Sequence, residues 1–309
     1  MLQNLIIVSE QVAILFVLIA VGFVCSKTKL INDAGAKHLT DIALYLATPC
    51  IMVQSFQDVK FEESLALNLG ICAICSVLIQ VVSIFICRPI FRDKNESRKR
   101  VLRFAAVFSN CGFMSLPLQK AVIGSKGVFY GAVFVMAFNI LVWSFGLVDM
   151  SGDKKNLTVK KILINPGVLG AAAAALLFFL KIQLPDIALT PIRYLAALNT
   201  PVPMLVIGYH LSKTNFSRYL KDKAVYVVLL LRLVGIPLAA LFIMRACGVS
   251  GEILIACVIA SSAPTAATTT MFATKFGRDI DLSVGLVSST TVVSIVTMPV
   301  IIALAQTIS

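Results

Sequence analysis

Two long apolar runs of this chain are interrupted by short polar stretches that contain Pro or Gly. The first interruption runs from Asn110 to Pro117 and the second from Ser262 to Thr269. A helix in hydrocarbon must satisfy its backbone N–H and C=O groups internally, so an interrupted helix is stable only where protein or a water-filled cavity covers the break. The two interruptions therefore predict a protein-lined cavity inside a membrane domain.

The composition of the chain agrees with a membrane domain. Hydrophobic residues occupy 59% of the 309 positions and charged residues 14%, whereas soluble domains contain about 25% charged residues. Apolar segments of about 20 residues, the length that crosses about 30 Å of hydrocarbon, recur along the chain. They predict an all-α integral membrane protein with ten transmembrane helices, near residues 5–25, 36–56, 64–88, 102–121, 127–149, 162–182, 192–212, 223–246, 252–274 and 282–306.

The 27 basic residues, which give a net charge of +12, are distributed unevenly over the predicted loops. Twenty lie in one alternating set of loops, six in the opposite set, and Arg232 lies within the eighth predicted helix. The set rich in Lys and Arg is expected on the cytoplasmic side. The distribution predicts a multi-pass protein of the cell membrane with both termini outside, and it argues against a nucleic-acid partner.

Similar residue pairs recur at one offset along the chain. Thr48-Pro49 returns as Thr200-Pro201 after 152 positions, and Ser109-Asn110 corresponds to Ser261-Ser262 at the same offset. Each half contains five predicted helices, and an odd number inverts the second half relative to the first. We expect one polytopic domain over residues 1–309, in which 1–150 and 151–309 form two inverted five-helix repeats around a site near the midplane.

The fourth predicted helix supplies the candidate binding residues Asn110, Gly112, Ser115 and Pro117. Pro117 lacks a backbone donor and Gly112 lacks side-chain bulk, so we expect the helical hydrogen-bond ladder to open between these two residues. The freed backbone groups, with Asn110 and Ser115, would then face a cavity. The alternative is a simple Pro kink that packs against neighbouring helices.

The ninth predicted helix supplies five more candidates, namely Ser262, Pro264, Thr265, Thr268 and Thr269. We expect Pro264 to break the helix, and the hydroxyl groups either to cap the ends of the half-helices or to contact a ligand. If the two interrupted segments cross, two half-helix N-termini converge with their positive dipole ends. That arrangement suits a small organic anion such as a carboxylate.

Three further polar residues lie inside apolar segments. Thr48 and Asn199 flank prolines in the second and seventh predicted helices, where they line the cavity or serve a hinge or packing. Asn139 lies in the fifth predicted helix, and a polar residue at that depth usually faces the bundle interior. Contact with another helix and contact with substrate are both consistent with Asn139.

Two charged residues are candidates for energy coupling, because charge within a bilayer is costly and often functional. Asp41 lies near the start of the second predicted helix, where a carboxylate also favours the helix dipole. Arg232 lies nine residues beyond Lys223, about 13 Å along a helix. As an alternative to a coupling role, the Arg232 side chain could snorkel to the cytoplasmic face. The counterpart of Arg232 in the first repeat is Gln80.

The sequence lacks the residue patterns that a metal site, an enzyme or a nucleotide-driven pump would require. Cys72 and Cys75 form a CxxC pair without a second pair or a nearby His, so they are interpreted as small core residues, and neither a metal site nor a cofactor is predicted. The chain has two His and few acidic residues within apolar segments, which argues against a membrane-embedded enzyme. No nucleotide-binding motif supports a primary pump.

A family resemblance rests on several places taken together: Gly22, Leu46 to Pro49, Asn110 to Pro117, Phe138-Asn139 and Pro264. With these residues the chain resembles the auxin efflux carrier family over essentially its whole length. The plant members of that family are the PIN auxin exporters, and its bacterial members include malate and malonate permeases. The resemblance implies ten helices in two inverted repeats, crossing broken helices 4 and 9, a transport domain that moves against a scaffold, and a homodimer.

On this resemblance, Asn110 and Pro117 fall on the crossover of helix 4 and Pro264 on that of helix 9. Thr269 replaces a second Pro of the plant carriers, and their long loop between helices 5 and 6 is absent. The expected function is a secondary transporter, a permease or efflux carrier, that moves a small organic anion by elevator-type alternating access. One alternative is a sodium-coupled symporter of the bile-acid type, whose fold the chain also resembles, although helix 9 lacks a carboxylate. The other alternative is a channel or sensor on the same scaffold.

Overall fold

A computed structural model describes residues 2–153, 155, 164–215 and 221–309, with residues 2–5 described by their backbone. These parts of the chain form helices, turns and one isolated β-bridge, and no strand. The described residues leave out four of the basic residues counted in the loops, Lys154, Lys160, Lys161 and Arg218, and the start of the predicted helix 162–182.

The helices of both halves are numbered in chain order. The first half contains α1 (Leu2–Lys27), α2 (Asp33–Ile42), α3 (Thr48–Gln57), α4 (Glu63–Ile90), α5 (Glu96–Val107), α6 (Leu116–Ile123), α7 (Ser125–Leu141) and α8 (Leu147–Ser151). The second half contains α9 (Pro166–Phe179), α10 (Asp186–Ala197), α11 (Pro201–Lys213), α12 (Lys223–Leu230), α13 (Ile236–Ala246), α14 (Gly251–Ser262), α15 (Thr268–Lys275) and α16 (Ile280–Ile308). Four π-helical turns join α2 to α3, precede α6, join α7 to α8 and join α12 to α13: Ala43–Ala47, Cys111–Ser115, Val142–Gly146 and Leu231–Gly235.

Within the described residues, six continuous helical stretches are long and apolar enough to cross a membrane: Ile6–Lys27, Asp33–Gln57, Glu63–Ile90, Ser125–Ser151, Lys223–Ala246 and Ile280–Ile308. They coincide with six of the ten predicted spans. The prediction of an all-α, multi-pass membrane protein is therefore confirmed. The described part of the predicted span 162–182 contains the shorter helix α9, and the other three predicted spans are each divided into two helices.

The break in the fourth predicted span lies earlier than the sequence indicated. The α-helix stops at Val107, a π-helical turn follows from Cys111, and α6 starts at Leu116. The predicted interval from Gly112 to Pro117 thus contains a π-helical turn instead of an α-helical ladder, but the helix itself is broken upstream, at residues 108–110. Pro117 occupies the first turn of α6, where a missing N–H costs nothing.

Side-chain caps fix where several helices begin. The side chains of Asn32, Asn95, Asn165, Asp222 and Asp279 accept hydrogen bonds from backbone N–H groups at the starts of α2, α5, α9, α12 and α16. Such caps satisfy donors that have no partner within the helix. Short polar segments therefore separate the helices at defined residues.

Close backbone packing joins helices from opposite halves of the chain. Helix α1 lies along α11, and a Cβ atom added at Gly208 would lie 2.0 Å from the carbonyl oxygen of Ile19. Helix α3 packs against α9 and α10, where the rings of Phe56, Phe129 and Phe178 join α3, α7 and α9. Helix α14 packs against α7, α13 and α16, and this packing holds the broken helices in the interior.

Candidate functional site

The two interrupted segments lie against each other. The backbone N–H of Asn110 donates to the carbonyl oxygen of Pro264 at 2.7 Å, and the N–H of Ala266 donates to that of Phe108 at 2.9 Å. These bonds belong to an antiparallel bridge between Ser109 and Thr265. We call residues 108–110 and 263–267 the crossover. Its mutual hydrogen bonds satisfy part of the backbone that is freed where the helices stop.

Four half-helix ends meet at the crossover. Helices α5 and α14 end there, so both present carbonyl groups, which carry the negative end of the helix dipole. The π-helical turn leading into α6 and helix α15 begin there, so both present N–H groups and the positive end. The same small region therefore offers one environment suited to cations and another suited to anions.

Three of the predicted hydroxyl groups in or beside the crossover are already bonded to the protein. Thr265 Oγ1 donates to the carbonyl oxygen of Ala105 at 2.9 Å, and Ser262 Oγ donates to that of Ile259 at 3.0 Å. Ser115 Oγ donates to the carbonyl oxygen of Cys111. All three side chains are buried. They hold the local backbone rather than project free donors.

Three other predicted polar groups are buried or nearly buried without a partner in the described parts of the chain. They are Oγ1 of Thr268, Oγ1 of Thr269 and the side-chain amide of Asn110. Of the two alternatives for Thr268 and Thr269, capping does not occur, because the N-cap of α15 is Ala267 and no side chain caps this end. A buried polar atom without a partner is costly and requires an explanation.

Asn199 and Thr48 lie beside the crossover and connect it to two other helices. Asn199 Nδ2 donates to the carbonyl oxygen of Gly112 at 3.2 Å, and Thr48 Oγ1 donates to Asn199 Oδ1 at 3.3 Å. Thr48 Oγ1 also lies 2.8 Å from the carbonyl oxygen of Ala43. This chain of polar contacts runs from α3, through the segment before α11, to the turn that leads into α6.

Asn139 has a different environment. Its Nδ2 donates to the carbonyl oxygen of Val135 in its own helix at 2.9 Å. It also packs on α9, where a Cβ atom added at Gly167 would lie 2.4 Å from Nδ2. Both contacts are those of a packing residue between α7 and α9.

Arg232 is 1% exposed and points to the crossover. Its guanidinium group donates to the carbonyl oxygen of Val107 at 2.6 Å and to that of Ser261. The snorkelling interpretation is therefore wrong. The second coupling candidate, Asp41, is half-buried in α2, and its carboxylate group forms no hydrogen bond or ion pair among the described residues.

Two cavities lie along opposite halves of the second and seventh predicted spans. The first, the Pro117 cavity, has a volume of about 180 Å³, and its walls include Lys120, Arg193 and Asn199. The second, the His210 cavity, has a volume of about 40 Å³, and its walls include Phe113 of the turn before α6. The His210 cavity reaches the crossover at Ala267, and the Pro117 cavity reaches the start of α6 at Leu116 and Pro117.

A wider basin adjoins the Pro117 cavity, and the two share Arg193. This Lys181 basin has a volume of about 740 Å³, and Lys60 and Phe61 also line it. Arg193 pairs with Asp58 at 2.9 Å, and Lys181 Nζ lies 4.6 Å from the centre of the Phe61 ring. The basin and the cavity together contain more cationic than anionic side chains. In the described residues, no three His, Cys, Asp or Glu side chains lie together as metal ligands would.

The sequence interpretation did not select Gln119, which is completely buried in α6. Its Nε2 donates to the carbonyl oxygen of Ala256 in α14 at 2.9 Å, and its Oε1 lacks a partner among the described residues. This amide connects the two broken helices beyond the crossover. The signal was a polar residue two positions after Pro117, in a segment that is otherwise apolar up to Lys120.

A chain with several membrane-spanning helices, in which two interrupted helices meet beside cavities, has the construction of a membrane transporter. Comparison with known proteins gives the same class. Residues 7–302 match the model of a family described as "Membrane transport protein", which is that of the auxin efflux carriers. The chain belongs to this family, whose members are transporters rather than enzymes.

Two archaeal relatives extend the comparison over the whole chain. An uncharacterized transporter of Methanothermobacter thermautotrophicus is 25% identical over 297 residues, which cover 94% of this chain and 96% of the relative. An uncharacterized transporter of Methanocaldococcus jannaschii is 23% identical over 297 residues, which cover 93% of this chain and 95% of the relative. The similarity is therefore not confined to the segments around the crossover.

Proposed function

We propose that this chain is a secondary transporter of a small organic anion, a carboxylate, which binds at the crossover. The observation that carries the proposal is the group of unpartnered polar atoms on Asn110, Thr268 and Thr269. They lie where α15 and the turn leading into α6 begin, next to helix N-termini. A carboxylate at this place would accept hydrogen bonds that the protein leaves unused.

The charge distribution supports an anion rather than a cation as substrate. Each helix N-terminus carries about half a positive elementary charge, and two such ends meet at the crossover. The Pro117 cavity and the Lys181 basin add the side-chain charges of Lys120, Arg193, Lys60 and Lys181, with Asp58 opposing them. Cavities lined by one sign of charge raise the local concentration of the opposite ion.

The proposal includes ten helices in two inverted repeats, residues 1–150 and 151–309, with both termini outside the cell membrane. The antiparallel bridge between Ser109 and Thr265 supports it, because it joins the interrupted segments of the two halves, and Thr265 lies only four residues beyond Ser261, the counterpart of Ser109. Gly112, Ser115, Pro117, Ser262, Pro264 and Thr265 then shape the site through their backbone, while Thr48 and Asn199 hold it against neighbouring helices. Asn139 acts in packing.

The position of the two cavities supports alternating access. On the proposed topology, the Pro117 cavity opens outside and the His210 cavity opens to the cytoplasm. An elevator-type movement would carry the crossover helices, with α4, α7, α13 and α16, past a scaffold formed by α1, α3, α9, α10 and α11. The resemblance to the carrier family adds a homodimer assembled through that scaffold in the lipid bilayer.

Thr269→Val is expected to lower carboxylate uptake by about tenfold or more while leaving the melting temperature unchanged or higher. Valine has nearly the same shape and removes a buried hydroxyl that lacks a partner, so the fold loses no hydrogen bond. The substrate carboxylate loses one, and a hydrogen bond to a charged group is worth about 1.5–3 kcal/mol. Uptake into proteoliposomes and thermal unfolding in detergent measure the two effects separately.

Thr290→Val provides the matched control for this substitution. Thr290 Oγ1 accepts a hydrogen bond from the N–H of Thr265 at 3.1 Å and donates to the carbonyl oxygen of Leu286 at 2.7 Å. Its removal should therefore lower the melting temperature. If Thr269→Val behaved in the same way, the Thr269 hydroxyl would serve the fold and not a ligand.

The function is tested by a thermal-shift screen of purified protein against mono- and dicarboxylates and matched amines, followed by uptake of the best ligand into proteoliposomes. A ligand stabilises the state that it binds, so carboxylates should raise the melting temperature and amines should not. Saturable uptake would support the transporter. Stabilisation by amines alone, or channel-like current in a planar bilayer, would contradict the proposal.

A further inference from the structure

Arg232 is a permanent cation held in the protein interior. It lies in the π-helical turn between α12 and α13, nine residues beyond Lys223, which places it about 13 Å along the helix. No carboxylate pairs with it among the described residues, and its Nε has no hydrogen-bond partner there. An isolated buried charge is very costly, so something else must stabilise this guanidinium group.

Backbone carbonyl groups provide that stabilisation. Val107 is the last residue of α5, and Ser261 lies in the last turn of α14. The guanidinium group donates to the carbonyl oxygens of both residues, one through Nη1 and the other through Nη2. Each helix C-terminus carries about half a negative elementary charge. The two ends together therefore offset about one positive charge, which is what the Arg232 side chain supplies.

Carbonyl groups at the C-terminal ends of broken helices are also places where transporters coordinate Na⁺ or protons. In this chain the guanidinium group occupies the space between both such ends. Gln80, the counterpart of Arg232 in the first half, instead donates to the carbonyl oxygen of Ser76 in its own helix at 3.1 Å. A single cation from the second half therefore serves both broken helices.

We propose that Arg232 is the built-in cation of the crossover and takes the position that a bound Na⁺ would otherwise fill. It is a positioning residue, because it fixes the ends of α5 and α14 and acts on the substrate through them. Resting on the proposed transport function, the inference adds that uptake by this chain requires no Na⁺. Removal of the guanidinium group should leave a pair of carbonyl groups that attracts a monovalent cation.

The experiment compares wild-type protein with Arg232→Met and Arg232→Lys. Thermal unfolding in detergent is measured in NaCl and in choline chloride at equal ionic strength, without substrate. Arg245→Met is the matched control, because Arg245 is exposed and its Nε donates to the carbonyl oxygen of Ile308 at 3.1 Å, far from the crossover. Uptake into proteoliposomes is then measured in the same two salts.

Wild-type protein and Arg245→Met should unfold at the same temperature in both salts. Arg232→Met should unfold about 5–10 °C lower in choline chloride, since buried carbonyl groups lose their donors. NaCl should restore about half of that loss, because a ligand of the folded state raises its stability. Arg232→Lys retains the charge and should show a smaller loss with little dependence on Na⁺.

Several results would overturn the inference. The first is a wild-type protein whose melting temperature or uptake depends on Na⁺. The second is an Arg232→Met variant that is as stable as wild type or that Na⁺ does not stabilise. The third is an Arg232→Lys variant whose melting temperature falls as far as that of Arg232→Met. If Arg232→Met fails to fold, the inference is still tested by wild-type protein in the two salts and by the melting temperature of Arg232→Lys. The unfolding measurements need no substrate, so they stand apart from any failure of the proposed transport function.

Discussion

Asn110→Ala is expected to lower carboxylate uptake by about 10- to 100-fold at low substrate concentration, while the protein remains folded and inserted. The Asn110 side chain is 5% exposed, and its amide has no partner among the described residues. Its own backbone N–H holds the crossover through Pro264, and alanine preserves that bond. A hydrogen bond to a charged group contributes about 1.5–3 kcal/mol, and each 1.4 kcal/mol corresponds to about a tenfold change in affinity.

The measurement is initial uptake into proteoliposomes, with the melting temperature in detergent as the check on folding. Asn68→Ala in α4, at a half-buried position outside the crossover, should leave uptake unchanged. Asn110→Asp preserves the size of the side chain but places a second negative charge beside the carboxylate, so it should reduce uptake at least as strongly as Asn110→Ala. Wild-type uptake by Asn110→Ala would remove the crossover from consideration as the binding site.

The sequence predicted the features that depend on local composition. An apolar segment of sufficient length must be helical in a membrane, and six predicted spans are continuous helices in the described residues. A Pro within such a segment disrupts the ladder, and Pro264 lies between the end of α14 and the start of α15. These properties need no knowledge of neighbouring helices.

The position of the other break could not be predicted in the same way. Pro117 is compatible both with a kink and with the first turn of a new helix, and only the surrounding helices select between them. In the structure, the backbone of Phe108 and Asn110 bonds to the opposite segment, and this pairing moves the break upstream. The seventh predicted span is likewise divided into two helices, the second of which begins at Pro201. There too, the prolines of an apolar segment are compatible both with a kink and with the start of a new helix.

The roles of individual polar residues depended on contacts between distant parts of the chain. Thr265 bonds to Ala105 across 160 positions, and Arg232 bonds to Val107 across 125. Six hydroxyl or amide groups looked equivalent in the two interrupted segments, yet Ser115, Ser262 and Thr265 are occupied by carbonyl groups. No local pattern distinguishes an occupied hydroxyl from a free one, so the candidate set from the sequence was wider than the set of free donors.

Gly208→Ala is expected to destabilise the folded protein by about 3 kcal/mol, at the upper end of the usual cost of overpacking. A Cβ atom at Gly208 would lie 2.0 Å from the carbonyl oxygen of Ile19 and 2.6 Å from the backbone N of Phe23. Main-chain atoms cannot turn aside as a side chain can, so α1 and α11 would have to separate. Small residues permit this kind of close helix contact in membranes.

Gly70→Ala is the matched control for Gly208→Ala, because Gly70 is also within a helix but has no atom within 4 Å of the added Cβ. Gly208→Ala should lower the melting temperature in detergent by about 5–10 °C and reduce the yield of folded protein, whereas Gly70→Ala should do neither. Equal melting temperatures for the two variants would mean that α1 and α11 are free to move apart. In the proposed transporter these two helices belong to the scaffold, and a scaffold that separates so easily could not support the movement of the crossover.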